Sequence, residues 1–212
     1  YIHAHRGKTF VIALTGEAVD GPNSKSLLAD IAVLHIIGVR IILVHGARPQ
    51  IDKRLHDAGL NSTFHDELRI SDNSMMPYIE EAIGSTRLKL EKLLSMGLPN
   101  SPIFGAQIRT ISGNFTIAKP LGVHNGIDHL FCGEVRRIDH GAIESALRGG
   151  SIVIIPPIGF SSTGEAFNLS YQDLASEVAS FMKAEKLIFI SSIAGVYIDG
   201  ELKRRLSLEA LG

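Results

Sequence analysis

Val39-Arg40-Ile41-Ile42-Leu43-Val44-His45-Gly46-Ala47-Arg48-Pro49-Gln50-Ile51 decides the architecture of this chain. Its first six residues are apolar except Arg40, with no polar alternate face. Such a run is a strand covered on both sides, as in a parallel sheet. A turn of small residues follows at Gly46 and Ala47. Pro49 is then placed to open a helix at its first position, with Ile51, Leu55 and Ala58 on one face and Gly59 to end it. Strand, small-residue turn and helix is the repeating unit of an α/β sheet.

The same unit recurs outward from this stretch. Upstream, Thr9–Leu14 is a short buried strand. Leu27, Leu28, Ile31, Leu34 and Ile37 recur at helical spacing, with Gly38 as a C-terminal cap. Downstream, residues 74–96 form a long helix with Ile79, Ile83, Leu90, Leu93 and Leu94 on its apolar face and Gly97 closing it. Residues 107–120 have β character, with a hairpin or bulge expected at Ser112-Gly113-Asn114. Cys132–Ile138 is a strand, Asp139 caps a helix ending at Gly149-Gly150, and Ser151–Ile155 is a third fully buried strand. Ser170 caps a helix over 170–182, and 187–191 is a fourth buried strand. The expected fold is α/β, a three-layer α/β/α sandwich on a mainly parallel sheet.

Composition narrows the function classes. The 212 residues suit one domain, 1–212, without repeats or linkers. Basic and acidic residues number 21 and 22, a net charge of -1, which disfavours a nucleic-acid partner. Cys132 is the only cysteine, so no internal disulfide forms, in keeping with a cytoplasmic location. The longest apolar run, 151–160, is too short for a bilayer and contains Pro156 and Pro157. No signal peptide is visible in this stretch of sequence. The chain starts at Tyr1 and stops at Gly212, where a new helix begins to read, so both ends look cut from a longer protein. The nine histidines form no metal-ligand pattern, and Cys132 has no base beside it in sequence; no metal is expected and the thiol reads as inert.

Ligands of open α/β sheets bind at the carboxyl ends of the strands. The turn with Gly46, Ala47 and Arg48 leads straight into a helix, whose free N–H groups attract anions. Such a turn also occurs for steric reasons alone. Arg69, before the long helix, can fork a carboxylate or stand as a solvated loop arginine. Asn168 can donate to a ligand or satisfy its own turn.

Together the ordered set His5-Arg6-Gly7-Lys8-Thr9-Phe10-Val11-Ile12, His45-Gly46-Ala47-Arg48-Pro49-Gln50-Ile51-Asp52, Ser112-Gly113-Asn114-Phe115, Arg136-Arg137-Ile138-Asp139 and Thr163-Gly164-Glu165-Ala166-Phe167-Asn168-Leu169 resembles the amino-acid-kinase family. Within it the likeness is to the kinase-like domain of bacterial N-acetylglutamate synthases, over essentially the whole chain. The resemblance implies the amino-acid-kinase or carbamate-kinase-like fold. It also implies a parent protein in which an acetyltransferase domain follows residue 212. That domain uses acetyl-CoA to acetylate L-glutamate, the first step of arginine biosynthesis. The kinase-like domain is then the regulatory and assembly part, in a homo-oligomer that takes L-arginine as allosteric effector. The chain itself is expected to hold no cofactor and to have no catalytic residue.

Three departures from the active kinases stand out. Their first strand carries a lysine where this chain has Ala13. Phosphoryl transfer needs that positive charge. Lys8 lies five residues upstream, about 16 Å along a strand, and faces the other way. Their His-Gly-Gly-Gly turn is His45-Gly46-Ala47-Arg48 here, which puts a side chain near the phosphate position. Their Asn-x-Asn-x-Asp pattern becomes Asn168-Leu169-Ser170-Tyr171-Gln172, with no charge at Gln172. Asp173, one residue on, is rotated by roughly 100° and fits a loose capping box with Ser170. Arg69 and Asn168, by contrast, match the kinase residues that grip the amino acid's carboxylate. Two readings compete with a regulatory domain: an active N-acetylglutamate kinase, which Ala13 and Gln172 oppose, and a dinucleotide-binding domain, which the lack of a G-x-G-x-x-G after the first strand opposes.

Overall fold

A computed structural model of the chain describes residues 2–96, 107–198 and 200–207. In chain order the elements are α1 (Ile2–His5), β1 (Thr9–Leu14), α2 (Gly16–Asp20), α3 (Ser24–Ile36), β2 (Arg40–His45) and α4 (Arg48–Asp57). Next come β3 (Thr63–His65), β4 (Leu68–Ile70), α5 (Met76–Leu94), β5 (Arg109–Ile111) and β6 (Thr116–Pro120). They continue with β7 (Val123–His124), β8 (Ile127–Asp128), β9 (Cys132–Ile138), α6 (His140–Arg148), β10 (Ser151–Ile155) and β11 (Ile158–Phe160). The last are β12 (Ala166–Leu169), α7 (Tyr171–Phe181), β13 (Lys186–Ile190), β14 (Val196–Ile198) and β15 (Glu201–Lys203).

The central sheet is all parallel, in the order β13-β1-β2-β10-β5. Strand alternation divides its side chains between two cores. Phe10, Ile12, Leu14, Ile41, Leu43, Ile152 and Ile154 pack with Val19 of α2, Leu28 and Ile31 of α3 and Leu90 of α5. Val11, Ala13, Ile42, Val44, Val153 and Ile155 pack with Ile143 and Leu147 of α6 and Leu174 and Val178 of α7. The three-layer α/β/α sandwich is therefore as expected, and the three inner strands are covered on both faces.

Four expectations need correction. Lys186–Ile190 is a strand, but it lies at the sheet edge and is only partly covered, with Phe189 48% exposed. A run of apolar residues does not distinguish an edge from a centre. Ser112-Gly113-Asn114 is not a hairpin: β5 pairs in parallel with β10, whereas β6 pairs antiparallel with β9 in a separate small barrel, β11-β12-β9-β6. A bulge does occur there, but between Ile117 and Ala118. α4 begins at Arg48, one residue early, so Pro49 is its second position, where its missing N–H is still harmless. The long helix starts at Met76; ahead of it Asp72 accepts from the N–H groups of Ser74 and Met75. Gly97 and the expected helix before Gly212 lie outside the described residues.

Candidate functional site

A cleft of about 320 Å³ opens at the carboxyl ends of the sheet strands, between the turn after β2, the β3–β4 hairpin and the start of α7. Six of the seven residues picked from the sequence line it: Gly46, Ala47, Arg48, Arg69, Asn168 and Gln172. Ala13 does not. It is fully buried within β1 between Val44 and Phe189 in register, inside the core under α7. Ala13, expected to match the kinase lysine, is part of the hydrophobic interior.

The glycines of the site face protein. A methyl group at Gly16 would stand 2.5 Å from Gln50 Oε1, and Gln50 Nε2 donates to the Gly16 carbonyl at 2.8 Å. A methyl group at Gly46 would stand 3.1 Å from Cδ1 of Tyr171. The bare backbone of both turns is thus covered by the N-terminal residues of α4 and α7. His45, directly before the turn, is completely buried; its Nδ1–H donates to the Gly46 carbonyl at 3.0 Å, leaving Nε2 unpartnered. Burial, with a smaller push from the Arg87 guanidinium, holds its pKa down to about 4 despite that bond.

Arg69 is held from several sides. Its side chain is 4% exposed and its Nη2 donates to Asp52 Oδ1 of α4 at 2.5 Å. Its Nη1 donates to Ser62 Oγ. Its guanidinium carbon stands 4.6 Å from the centroid of Phe64, and that of Arg48 stands 4.3 Å from the same centroid. Asn168 is nearly buried on β12 and its Nδ2 donates to Ser71 Oγ at 3.2 Å. The two residues expected to grip a carboxylate therefore both have protein partners. Arg48 has none among the described ion pairs and is exposed at the cleft.

At the α7 end, Ser170 Oγ accepts from the Asp173 N–H at 3.3 Å, the forward half of the expected cap. Gln172 is exposed and its Oε1 accepts from Ser170 Oγ at 3.4 Å. Cys132 lies at the cleft floor; burial, with the Asp173 carboxylate adding, pushes its thiol up to about 11, so it is no nucleophile at neutral pH. Among the described residues no group of three or more His, Cys, Asp or Glu is placed to hold a metal ion.

Sequence reasoning missed Asp52, Phe64, Asp66, Glu67 and Tyr171. The first lies on a helix surface where a lone acid reads as solvated. The next three lie on strands or a turn too short to have a period. The tight hairpin has Asp66 and Glu67 at φ 47 and 63, the left-handed pair of a type I′ turn, without the glycine that usually announces it.

The parallel sheet, the barrel beside it and a cleft at the strand ends define a small-molecule kinase fold. The sequence profile of the amino acid kinase family matches residues 8–209, and the chain belongs to that family. Over 211 residues it is 44% identical to an amino-acid acetyltransferase of Ralstonia nicotianae, covering 99% of this chain and 47% of that protein. Over 201 residues it is 46% identical to an amino-acid acetyltransferase of Azotobacter vinelandii, covering 95% and 46%. Among solved structures it resembles the N-acetylglutamate synthase of Neisseria gonorrhoeae complexed with coenzyme A and L-arginine: TM-score 0.87, 31% identity, 94% of this chain and 47% of that one. It also shares its fold with a carbamate kinase of Giardia lamblia bound to AMP-PNP, at TM-score 0.62 and 14% identity over 89% of this chain and 72% of that one. The chain spans about half the length of the acetyltransferases it matches.

Proposed function

We propose that this chain is the regulatory and assembly domain of an amino-acid acetyltransferase of the N-acetylglutamate synthase type, with its kinase chemistry lost. The parent transfers an acetyl group from acetyl-CoA to L-glutamate in the cytoplasm, through an acetyltransferase domain outside these residues. L-Arginine acts on it as a feedback effector, and the kinase-like domains assemble it into a homo-oligomer. Neither a nucleic acid nor a membrane is a partner. No described helix is long and apolar enough to cross a bilayer.

The observation that carries the loss of kinase chemistry is Ala13, buried in the core and outside the cleft. Gln172 and the covered turns at Gly16 and Gly46 add to it. A kinase transition state needs cations around the moving phosphoryl group, and each lost contact of this kind costs about 10² to 10³ in rate.

The test is incubation of the purified chain with ATP and N-acetyl-L-glutamate. No phosphorylated product is expected. Turnover of ATP that depends on N-acetyl-L-glutamate would put an active kinase in place of this reading. The chain alone is likewise expected to release no CoA from acetyl-CoA with glutamate and to bind arginine weakly or not at all by calorimetry. Glutamate-dependent CoA release would overturn the division of labour between the domains.

A further inference from the structure

A second cavity, of about 350 Å³, lies at the same end of the sheet. Pro156 lines it and Pro157 lines the first cleft, so the carboxyl end of β10 separates the two. The topology marks this place. The connection leaving β2 runs to α5 on one face of the sheet, and the connection leaving β5 runs through the barrel to α6 on the other. β10 lies between β2 and β5. Where connections part to opposite faces a crevice opens outside the strand ends, and ligands of open α/β sheets sit in such crevices.

One wall is α5, where Glu80, Ile83, Gly84 and Arg87 recur at helical spacing and line the cavity. Gly84 is its notch, since a Cβ there would meet no described atom within 4 Å, the helix's own nearby backbone aside. The opposite wall is β11. Its Ile158 and Phe160 line the cavity, while a methyl group at the intervening Gly159 would stand 2.6 Å from Ala118 Cβ of the barrel. Phe160 is left 38% exposed. Opposite charges bracket this apolar groove. Glu80 is exposed and enters no ion pair among the described residues. Arg87 donates from Nη1 to Glu91 Oε1 at 2.6 Å, and among the described residues its other N–H groups are free for a ligand.

We infer that this second cavity binds a small zwitterion, an α-amino acid with an apolar side chain. Its carboxylate takes the free N–H groups of Arg87 and its ammonium the Glu80 carboxylate. Its side chain lies over Gly84 against Ile83, Ile158 and Phe160. Glu80 and Arg87 are two helical turns apart, about 10 Å, and both have side chains long enough to reach into the space between them. A purely apolar ligand would leave both charges unused, and a simple anion would meet Glu80. The site is separate from the first cleft and does not depend on the regulatory reading.

The experiment is titration calorimetry of L-phenylalanine against the chain. Saturable binding is expected, with a dissociation constant of about 0.1–1 mM for a ligand of this size. Three controls each lack one part: glycine the apolar side chain, N-acetyl-L-phenylalanine the ammonium, and L-phenylalaninamide the carboxylate. Each is expected to bind at least about 10-fold more weakly. Glu80→Gln weakens L-phenylalanine about 10-fold and leaves N-acetyl-L-phenylalanine unchanged. Arg87→Gln weakens L-phenylalanine by a similar factor and leaves the amide unchanged. Gly84→Leu fills the notch and abolishes binding. Thermal melting shows whether that variant is folded, and the Glu80→Gln pattern is the readout if it is not. Absence of saturable binding would overturn the inference. So would an affinity shared by all four ligands, one indifferent to Glu80 and Arg87, or one that survives in folded Gly84→Leu. None of these outcomes bears on ATP turnover, which tests the regulatory reading separately.

Discussion

The interior of the sheet and the cleft at its end meet within a few residues and follow opposite rules. Along β2, Ile41 to Val44 are fully buried and apolar on both faces; four residues beyond Val44, Arg48 is exposed to solvent. In the interior a charge has no partner and no water. In the cleft charges are plentiful, either paired, as Arg69 is with Asp52, or open to water, as Arg48 is. Ala13, expected to match the kinase lysine, lies on the interior side of this line, and Arg69, expected to match a carboxylate-gripping residue, lies on the cleft side, paired with Asp52.

The largest expected effect comes from forcing the cleft's rule on the interior. Ala13→Lys places an ammonium among Val11, Ile42, Val44 and Leu174. An uncompensated buried charge costs about 3–5 kcal/mol. Ala13→Met adds similar bulk without charge and is expected to cost about 1–3 kcal/mol by overpacking. Urea denaturation of both variants separates the two terms. Equal losses would mean that the lysine reaches the cleft, and the line between interior and cleft would have to be redrawn.

His45 stands on that line and makes it sensitive to pH. Its folded pKa of about 4 lies below the ordinary 6.5, so the unfolded chain takes up the proton first. The stability it contributes is complete above about pH 6.5 and is lost as pH falls toward 4. The shift corresponds to about 3 kcal/mol over that window. His45→Gln is expected to flatten the window, measured as the difference in unfolding free energy between pH 7 and pH 4.5. An unchanged pH slope would show that other groups govern acid stability.

A smaller contrast lies within the cleft. Arg69→Ala strands Asp52 and removes a buried, stacked guanidinium. A broken buried pair costs about 3–5 kcal/mol, and the half-exposed partner reduces this to about 2–3 kcal/mol. Arg48→Ala removes only an exposed stacking contact with Phe64 and is expected to cost less than about 1 kcal/mol. Comparable losses in chemical denaturation would mean that burial does not separate these two arginines.

The same line explains what the sequence revealed. The inner strands were legible because burial on both faces leaves an unbroken apolar run, and the caps at Asp139 and Ser170 because a capping side chain needs only local geometry. The cleft residues Gly46, Ala47 and Arg48 followed from their place at a strand end, Asn168 from its place ahead of the helix capped by Ser170, and Gln172 from the family resemblance. Strand order was harder: the runs at 151–155 and 187–191 look alike, yet one is central and the other an edge. The barrel escaped because the pairings that close it, β9 with β12 and β6 with β11, join distant stretches of chain, and β7–β8 because two-residue strands carry no period, even though Asn125-Gly126 supplies the favoured turn. Arg69's partner was out of reach for the same reason: Asp52 is 17 residues away and nothing local couples them.

The smallest effect tests a surface outside both regions. Gly84 sits in the interior of α5, where glycine costs about 0.5–1 kcal/mol relative to alanine. Such a residue is explained when something approaches too closely for a methyl group. Among the described residues nothing does: a Cβ built at Gly84 meets none of their atoms within 4 Å, the helix's own nearby backbone aside. The position opens instead onto a second cavity of about 350 Å³, lined by Ile83, Arg87, Pro156, Ile158 and Phe160 among others. Gly84→Ala is therefore expected to stabilise the chain by about 0.5–1 kcal/mol, through helix propensity and a less flexible unfolded state. For a domain of this size that raises Tm by about 1–4 °C. A differential scanning measurement at low protein concentration checks it. A lowered Tm would mean that the methyl group meets a neighbour outside the described residues, and a matching drop in sedimentation mass would identify that neighbour as a second copy packed against α5.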